Sequence, residues 1–219
     1  MTLVLKLRMN ISLKGISSLA ALVAVAVSPA SINSHFDTGT DGWITANVSF
    51  PALGLLGTHI PTWTVSSIVD TEFQGGGLFL FAAPAAYQGD LSSYYGGTVK
   101  YQLSDSVTDG VPYPNLILRG GGTILYYTTT APGTTLTSYS VSLTPVGWLK
   151  GSGGTPTEAE FQSVLANVDA FAINADWKTA GTDTAGLDEV SVAAVPEPAT
   201  LTCLGLAAAS LLRRRRSVR

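Results

Sequence analysis

Short runs of alternating apolar and polar residues, separated by glycine, dominate the middle of this 219-residue chain. Residues 99–103 (VKYQL) and 138–143 (SYSVSL) alternate with a period of two, which sends successive side chains to opposite faces of a strand. Residues 77–81 (GLFLF) form a continuous apolar run, as a fully buried strand does. Because the region is also rich in Gly, Thr, Ser, Val and Tyr, the pattern predicts a β-protein.

A hairpin and two late strands extend this pattern. Residues 115–119 and 123–128 flank Gly120-Gly121-Gly122, which indicates a tight turn between two strands. Neither a lysine nor a helix follows these glycines, so they do not form a phosphate-binding loop. Residues 170–175 and 187–192 have the composition of two more strands.

One helix is expected after residue 154. Thr155 is suited to the N-cap, Pro156 to the first helical position and Glu158 to a capping box. Apolar residues then recur with helical spacing on one face, at Phe161, Val164, Leu165 and Val168. Many strands and one short helix predict an all-β fold, an antiparallel two-sheet sandwich of jelly-roll type.

The N-terminal 30 residues have the layout of a signal peptide. Three basic residues, Lys6, Arg8 and Lys14, precede an apolar stretch at 16–27. Ser28-Pro29-Ala30 then offers a small-residue cleavage site, with cutting expected after Ala30. A retained N-terminal anchor is the alternative, although the stretch is short for a span of about 20 residues.

The C-terminal segment contains three parts in a fixed order. The first part is Val195-Pro196-Glu197-Pro198. Because its prolines cannot continue a strand or a helix, it is expected to be extended. A short apolar run at 199–212 follows, and the chain then carries Arg213, Arg214, Arg215 and Arg216. Such arginines resist translocation and act as a cytoplasmic stop. A simple membrane tail is the alternative interpretation.

The order of these C-terminal parts resembles the PEP-CTERM sorting signal of Gram-negative bacteria. The resemblance implies an exosortase-type processing enzyme as partner and a role in processing for Glu197. With a signal peptide at 1–30 and the tail at 195–219, residues 31–194 are expected to form the exported domain. The predicted route uses the Sec machinery and signal peptidase. It passes through a precursor tethered transiently in the inner membrane, and it ends at the cell surface or in the extracellular matrix.

Charge is distributed unevenly between the domain and its flanking segments. Only four of the 12 basic residues lie in the domain, whereas 14 of the 15 acidic residues do, which gives the domain a net charge of −10. An acidic domain repels phosphate backbones and excludes nucleic acid as a partner. The only cysteine, Cys203, lies in the tail, so the domain has no disulfide and no thiol nucleophile. His35 and His59 lack a Gly-x-Ser-x-Gly partner motif and are expected to be solvated or hydrogen-bonded.

Several landmarks follow one another between residues 36 and 192. Phe36-Asp37 and Asp41-Gly42-Trp43 open the domain, and the stretches 84–90 (PAAYQGD) and 93–97 (SYYGG) follow. Leu187-Asp188-Glu189-Val190 closes it. Their order and spacing resemble the laminin B domain, also called laminin IV type A. The resemblance implies an extracellular β-sandwich related to galactose-binding-like jelly rolls, without a catalytic centre.

Three aspartates are candidates for a structural calcium site. The related carbohydrate-binding jelly rolls often hold calcium where the first and last strands meet, so the resemblance implies Asp188 together with Asp37 or Asp41. Calcium prefers six to eight oxygen ligands, and an Asp-rich turn supplies several. In the alternative interpretation these aspartates bond the backbone of turns.

Aromatic side chains offer a second candidate site, because their planes stack on the apolar faces of sugars. The candidates are Tyr94, Tyr95, Trp148 and Trp177. Cross-strand or core packing is the alternative for each. Trp43, which follows a turn and begins a strand, is expected in the core.

These observations predict a non-enzymatic exported protein that adheres to polysaccharide or serves as a matrix component. The alternatives are an enzyme acting on exopolysaccharide and a purely structural surface protein. A hydrolase needs two carboxyl groups roughly 5 to 9 Å apart in one cleft. Asp188 and Glu189 do not meet this requirement, because neighbouring strand residues point to opposite faces.

Overall fold

The fold is described from a computed structural model, which covers residues 29–110, 112–179 and 181–195. These residues form thirteen strands, one α-helix and two short 3₁₀ helices at Ala85–Tyr87 and Ser92–Tyr94. The strands are β1 Ile32–Ser34, β2 Ile44–Ser49, β3 Gly54–His59, β4 Thr62–Thr64, β5 Ser67–Thr71, β6 Leu78–Ala82, β7 Thr98–Asp105, β8 Pro114–Gly120, β9 Thr123–Thr128, β10 Thr137–Ser142, β11 Trp148–Lys150, β12 Val168–Asn174 and β13 Thr184–Ala193. The helix α1 is Glu158–Leu165.

Two antiparallel sheets form a sandwich, which confirms the predicted fold class. The first sheet has the order β10-β7-β13-β5-β4, and β1 pairs with the second half of β13. The second sheet has the order β11-β9-β8-β12-β6-β2-β3. The connections between strands that are not adjacent in sequence are those of a jelly-roll-like fold.

Alternation along the central strands of the second sheet separates two apolar layers. Phe79 and Phe81 of β6 face the core between the sheets, together with Phe171 of β12. Leu80 and Ala172 of the same strands lie in a second apolar cluster on the outer face. The expected core position of Trp43 is confirmed, because its side chain is fully buried.

The predicted helix is present, but its first turn differs from the prediction. Thr157, not Thr155, is the N-cap: its side chain accepts a hydrogen bond from the backbone N–H of Glu160, and the Glu160 carboxylate accepts one from Thr157 N at 2.7 Å. This reciprocal pair is a capping box shifted by two residues. The helix ends at Leu165, so Val168 belongs to β12.

The end of α1 crosses the end of β8 very closely. A Cβ atom on Gly120 would lie 2.5 Å from the backbone oxygen of Val164 and 2.7 Å from that of Asn167. Any larger residue at this position would therefore push the helix away from the sheet. Phe161, Val164 and Leu165 are the buried residues of the helix, as the apolar spacing predicted.

Strand β13 runs between two opposite poles of the sandwich. Ten residues long, it spans about 30 Å. At its far end Val192 pairs with Ile32 of β1, so the domain begins and ends at the same pole. Tyr94 Oη donates to the Ala30 carbonyl at 2.6 Å there, and a Cβ atom on Gly96 would lie 3.2 Å from the Val195 side chain. We call this end the terminal pole.

The predicted strands at 77–81, 99–103, 115–119, 123–128, 138–143, 170–175 and 187–192 are confirmed within a few residues. The signal peptide was predicted at 1–30 and the sorting tail at 195–219, each with a helical apolar run; of these segments, residues 1–28 and 196–219 lie outside the described residues. Within the described residues, no helix is long and apolar enough to cross a membrane.

Candidate functional site

An open cleft of ≈ 580 Å³ lies beside the end of β5, the start of β6 and the segment that follows β12. Its polar walls include Glu72 and Asp176, and its aromatic walls are Phe50 and Tyr113. The backbone at 75–77, three consecutive glycines, forms another wall. The volume lies within the range of about 300–1,000 Å³ that small-molecule sites occupy. We call it the glycine-loop cleft.

Glu72 is the first acidic group of the glycine-loop cleft. It directly follows β5, and its backbone N–H donates to the Asp183 carbonyl at 3.0 Å. Its side chain is 8% exposed, and within the described ranges no hydrogen bond to its carboxyl group is found. Burial, with the nearby charges of Asp176 and Asp183, raises the pKa of Glu72 to about 7.

Asp176 is the second acidic group of the cleft and is 7% exposed. Among the described residues, its carboxylate accepts two long hydrogen bonds, from Phe79 N and Lys178 N, both at 3.4 Å. Burial and the neighbouring Asp183 raise the pKa of Asp176 to about 6. Two partly protonated carboxyl groups therefore line one cleft near neutral pH.

Two further buried carboxyl groups stand behind the cleft. Asp105 ends β7, and Asp183 precedes β13; they are 2% and 1% exposed. Together with Glu72 and Asp176 they form what we call the acidic pole, opposite the terminal pole. Burial raises the pKa of Asp105 to about 7 and also raises that of Asp183. Lys178 is the one cation whose charge acts on Asp183.

The loop after β2 organises the outer face next to the cleft. Phe50 packs edge-on against Tyr126 of β9 at 5.6 Å between ring centroids, although three strands separate β2 from β9. Leu53 joins the outer apolar cluster. The loop therefore lies across the face, with the glycine-loop cleft beside Phe50 and a smaller cleft of ≈ 350 Å³ beside Pro51.

Two of the predicted calcium ligands, Asp41 and Asp188, accept hydrogen bonds from the backbone close by. Asp41 accepts a hydrogen bond from Phe36 N at 3.1 Å, and both residues have positive φ angles. Asp188 accepts from Glu189 N at 2.8 Å, and burial raises its pKa, with charge from Glu189 and Asp37 adding to the shift. Asp37 and Asp188 thus lie near each other, and the calcium site stays a prediction. Within the described residues, no group of three or more His, Cys, Asp or Glu side chains is arranged to hold a metal ion.

Both histidines are hydrogen-bonded to carboxylates, as expected. His35 Nδ1 lies 2.7 Å from Glu189 Oε2, and this contact raises the pKa of His35. His59 Nδ1 lies 2.9 Å from Asp70 Oδ2. No serine of the described part of the chain hydrogen-bonds to either imidazole, so neither histidine belongs to a Ser-His-Asp triad.

Three of the four predicted sugar-contacting aromatics are buried, which corrects that prediction. Trp148 and Trp177 are fully enclosed, and Tyr94 is tied to the N-terminal segment. A sugar ring has no access to such side chains, so packing, the alternative, accounts for them. Tyr95 is partly buried and packs against Phe161 at 6.3 Å.

Other side chains, which the sequence did not single out, line the glycine-loop cleft or are partly exposed. Glu72 and Asp176 each follow closely after the end of a strand. This position after a strand is the feature of the sequence that could have pointed to them. Phe50 and Trp63 are the partly exposed aromatics of a segment that has no Asp, Glu, Lys or Arg between Asp41 and Asp70. Their signal was weak, because isolated aromatics are more often buried.

Comparison with known proteins assigns the domain and the tail. The laminin B (Domain IV) family matches residues 80–201, and the PEP-CTERM protein-sorting motif matches residues 194–216. The chain is 31% identical over 106 residues to the basement membrane-specific heparan sulfate proteoglycan core protein of Mus musculus. That alignment covers 45% of this chain and spans only 3% of the length of this curated relative.

A solved laminin domain has the same fold. The L4b domain of human laminin alpha-2 superposes with a TM-score of 0.63 at 18% identity, covering 76% of this chain and 98% of that domain. A family 11 carbohydrate-binding module of Clostridium thermocellum gives a TM-score of 0.42 at 11% identity, covering 79% of this chain and 91% of the module. The second similarity is too weak to assign a fold or a ligand.

The sorting residues themselves, Pro196, Glu197, Pro198 and Arg213 to Arg216, lie outside the described residues. Their match to the motif marks an exported, surface-directed protein that is processed by an exosortase-type system. The family match covers more than half of the chain and agrees with the sandwich fold. The chain belongs to the laminin B (Domain IV) family.

Proposed function

We propose that this protein is a non-enzymatic adhesion module that binds polysaccharide at the cell surface or in the extracellular matrix. The observation that carries the proposal is the separation of the two poles. The chain enters and leaves the domain at the terminal pole, where Ile32 pairs with Val192. The acidic pole lies about 30 Å away, at the start of β13, so a tail that tethers the domain leaves the glycine-loop cleft accessible.

The charge of the domain supports the same proposal. A net charge of −10 disfavours a nucleic acid or an anionic lipid surface as ligand. An uncharged polymer with many hydroxyl groups meets no such repulsion. Open clefts with aromatic and carboxyl groups are suited to such polymers, because sugars present an apolar face and a rim of donors.

The test measures location and binding together. The full chain is produced in its host, the processed protein is purified, and its retention on purified host exopolysaccharide is measured by affinity electrophoresis. We expect the protein in the surface or extracellular fraction and retarded by the polysaccharide. Replacement of Pro196 to Pro198 by alanine is the matched control, because it should leave an unprocessed, membrane-held species that contains the same domain. Surface location without retardation would favour a purely structural surface protein.

A polysaccharide hydrolase is the second candidate, and Glu72 with Asp176 favours it. Both line one cleft, and their pKa values are raised to about 7 and about 6, as in an acid and base pair. The release of reducing ends from the same exopolysaccharide decides between the two candidates. Release that is lost in Glu72→Gln would establish catalysis, whereas retardation without release would establish binding.

A further inference from the structure

Within the described residues, no hydrogen bond reaches the carboxyl group of Glu72, although the residue is only 8% exposed and its carboxyl oxygens still reach solvent. A ligand that donates hydrogen bonds would replace this water and supply the partners that the protein does not provide. Glu72 borders the glycine-loop cleft rather than a closed cavity, so such a ligand has access to it. Asp176 stands in the same cleft with two long backbone contacts and has spare acceptor capacity.

The aromatic walls of the cleft differ in what they offer a ligand. Tyr113 Oη is occupied by Asp109 and Thr179 at 3.0 and 2.8 Å, so this ring is held in place. Phe50 is 36% exposed and has no polar atom of its own. It therefore offers an apolar surface suited to the apolar face of a sugar ring, in the same cleft as carboxyl groups that accept hydrogen bonds.

The charge around the cleft limits the chemistry of the ligand further. Glu72, Asp176 and Asp183 act on one another electrostatically, and Lys178 alone among the lining residues is basic. The negative potential of such a site repels carboxylated or sulfated sugars. A neutral sugar unit donates hydroxyl hydrogens without this penalty.

We propose that the glycine-loop cleft binds one uncharged sugar unit of a polysaccharide. The sugar ring lies against Phe50, and its hydroxyl groups donate to Glu72 and Asp176. The cleft thereby discriminates against uronic acid polymers. This inference rests on the proposed binding function and names its site and its class of ligand.

The experiment compares affinities of the processed full-length protein for a neutral β-glucan, a neutral galactan and polygalacturonate, with the host exopolysaccharide measured in parallel. We expect binding to at least one neutral polymer and at least about tenfold weaker binding to polygalacturonate. At pH 8, above the pKa of about 7, Glu72→Gln should weaken neutral binding by roughly tenfold or more, because an amide replaces a charge-assisted acceptor. Phe50→Ala should weaken it as well, and Asp169→Asn, which alters an exposed carboxylate on another part of the sheet, should not.

The outcomes distinguish an error in the assigned site from an error in the proposed binding function. If the protein binds a polymer and both Glu72→Gln and Phe50→Ala, shown by melting to be folded, bind it equally well, the site is wrong and the binding function stands. Equal affinity for polygalacturonate would overturn the charge selection. Failure to bind any polymer, including the host exopolysaccharide, would overturn the site and the proposed function together.

Discussion

The buried carboxyl groups of Asp105 and Asp183 act on each other inside the acidic pole, and each affects the pKa of the other. Within the described residues, no group donates to Oδ2 of Asp105 or to Oδ1 of Asp183. The remaining oxygens accept from Val107 N at 2.9 Å and Trp177 N at 2.7 Å. One proton shared by the pair satisfies it, whereas two buried negative charges that act on each other are unfavourable.

This pair makes the stability of the domain depend on pH. Burial, followed by the charges of Asp183 and Asp176, raises the native pKa of Asp105 to about 7, whereas the unfolded value is about 4. Between these values the native state holds a proton that the unfolded state lacks, so stability falls as pH rises from about 4 to about 7. We expect a higher melting temperature at pH 5 than at pH 8.

The substitution Asp105→Asn tests the cause of that dependence. It retains the acceptor for Val107 N and removes one charge, so it should stabilise the protein at pH 8 by about 1–3 kcal/mol. The slope of melting temperature against pH should decrease but not vanish, because Glu72 and Asp176 still titrate. Asp169→Asn is the control for the loss of an exposed carboxylate. A wild-type protein equally stable at pH 5 and pH 8 would contradict the assignment.

The capping box of α1 leads to a second prediction. Thr157→Ala removes the acceptor for Glu160 N and should lower stability by about 1 kcal/mol. Thr155→Ala, two residues earlier, should have little effect, although the sequence pointed to Thr155 as the cap. Chemical denaturation of the two variants measures the difference. Equal losses would mean that the helix begins earlier than the structure shows.

How far the sequence predicts this fold depends on the strand. The alternation at 99–103 and 138–143 predicts β7 and β10 because each has one face in the core. Strands β3 and β4 escape prediction because they are edge strands whose side chains are mostly exposed on both faces. An edge strand has no buried face to impose a period of two. The helix cap is displaced because Thr155 and Thr157 fit the local pattern equally well.

The site is less predictable than the fold for a physical reason. Glu72, Asp105 and Asp183 are far apart in sequence and meet only because β5, β7 and β13 are neighbours in one sheet. Nothing local distinguishes them from surface acids. The aromatic candidates fail for the opposite reason. Trp148 is of a residue type that often stacks on sugars, but its side chain is buried in the core against Phe161.

Tyr94 provides a third prediction at the terminal pole. Tyr94→Phe removes the hydrogen bond to the Ala30 carbonyl, and it should lower stability by about 1 kcal/mol in a chain that retains Ala30. In a protein cut after Ala30 the same substitution should have little effect, and mass spectrometry of the N-terminus distinguishes the two forms. Polysaccharide affinity should not change, because the residue is far from the glycine-loop cleft. A loss of affinity with unchanged stability would restore Tyr94 as a ligand contact.

Calcium binding at Asp188 is the last prediction, and it concerns the junction of β1 and β13. The charge of Asp37 acts on Asp188, and both act on the imidazole of His35, so the two carboxyl groups are neighbours. A divalent cation between them would relieve their repulsion, and binding to the native state alone raises the melting temperature. We expect the melting temperature to be several degrees higher in millimolar calcium than in excess EDTA. A shift of this size corresponds to a stabilisation of roughly 1–2 kcal/mol. Asp188→Asn should abolish the rise, and Asp105→Asn at the other pole should leave it intact. An unchanged melting temperature in calcium would exclude the site, and a rise lost only in Asp105→Asn would place the ion at the acidic pole.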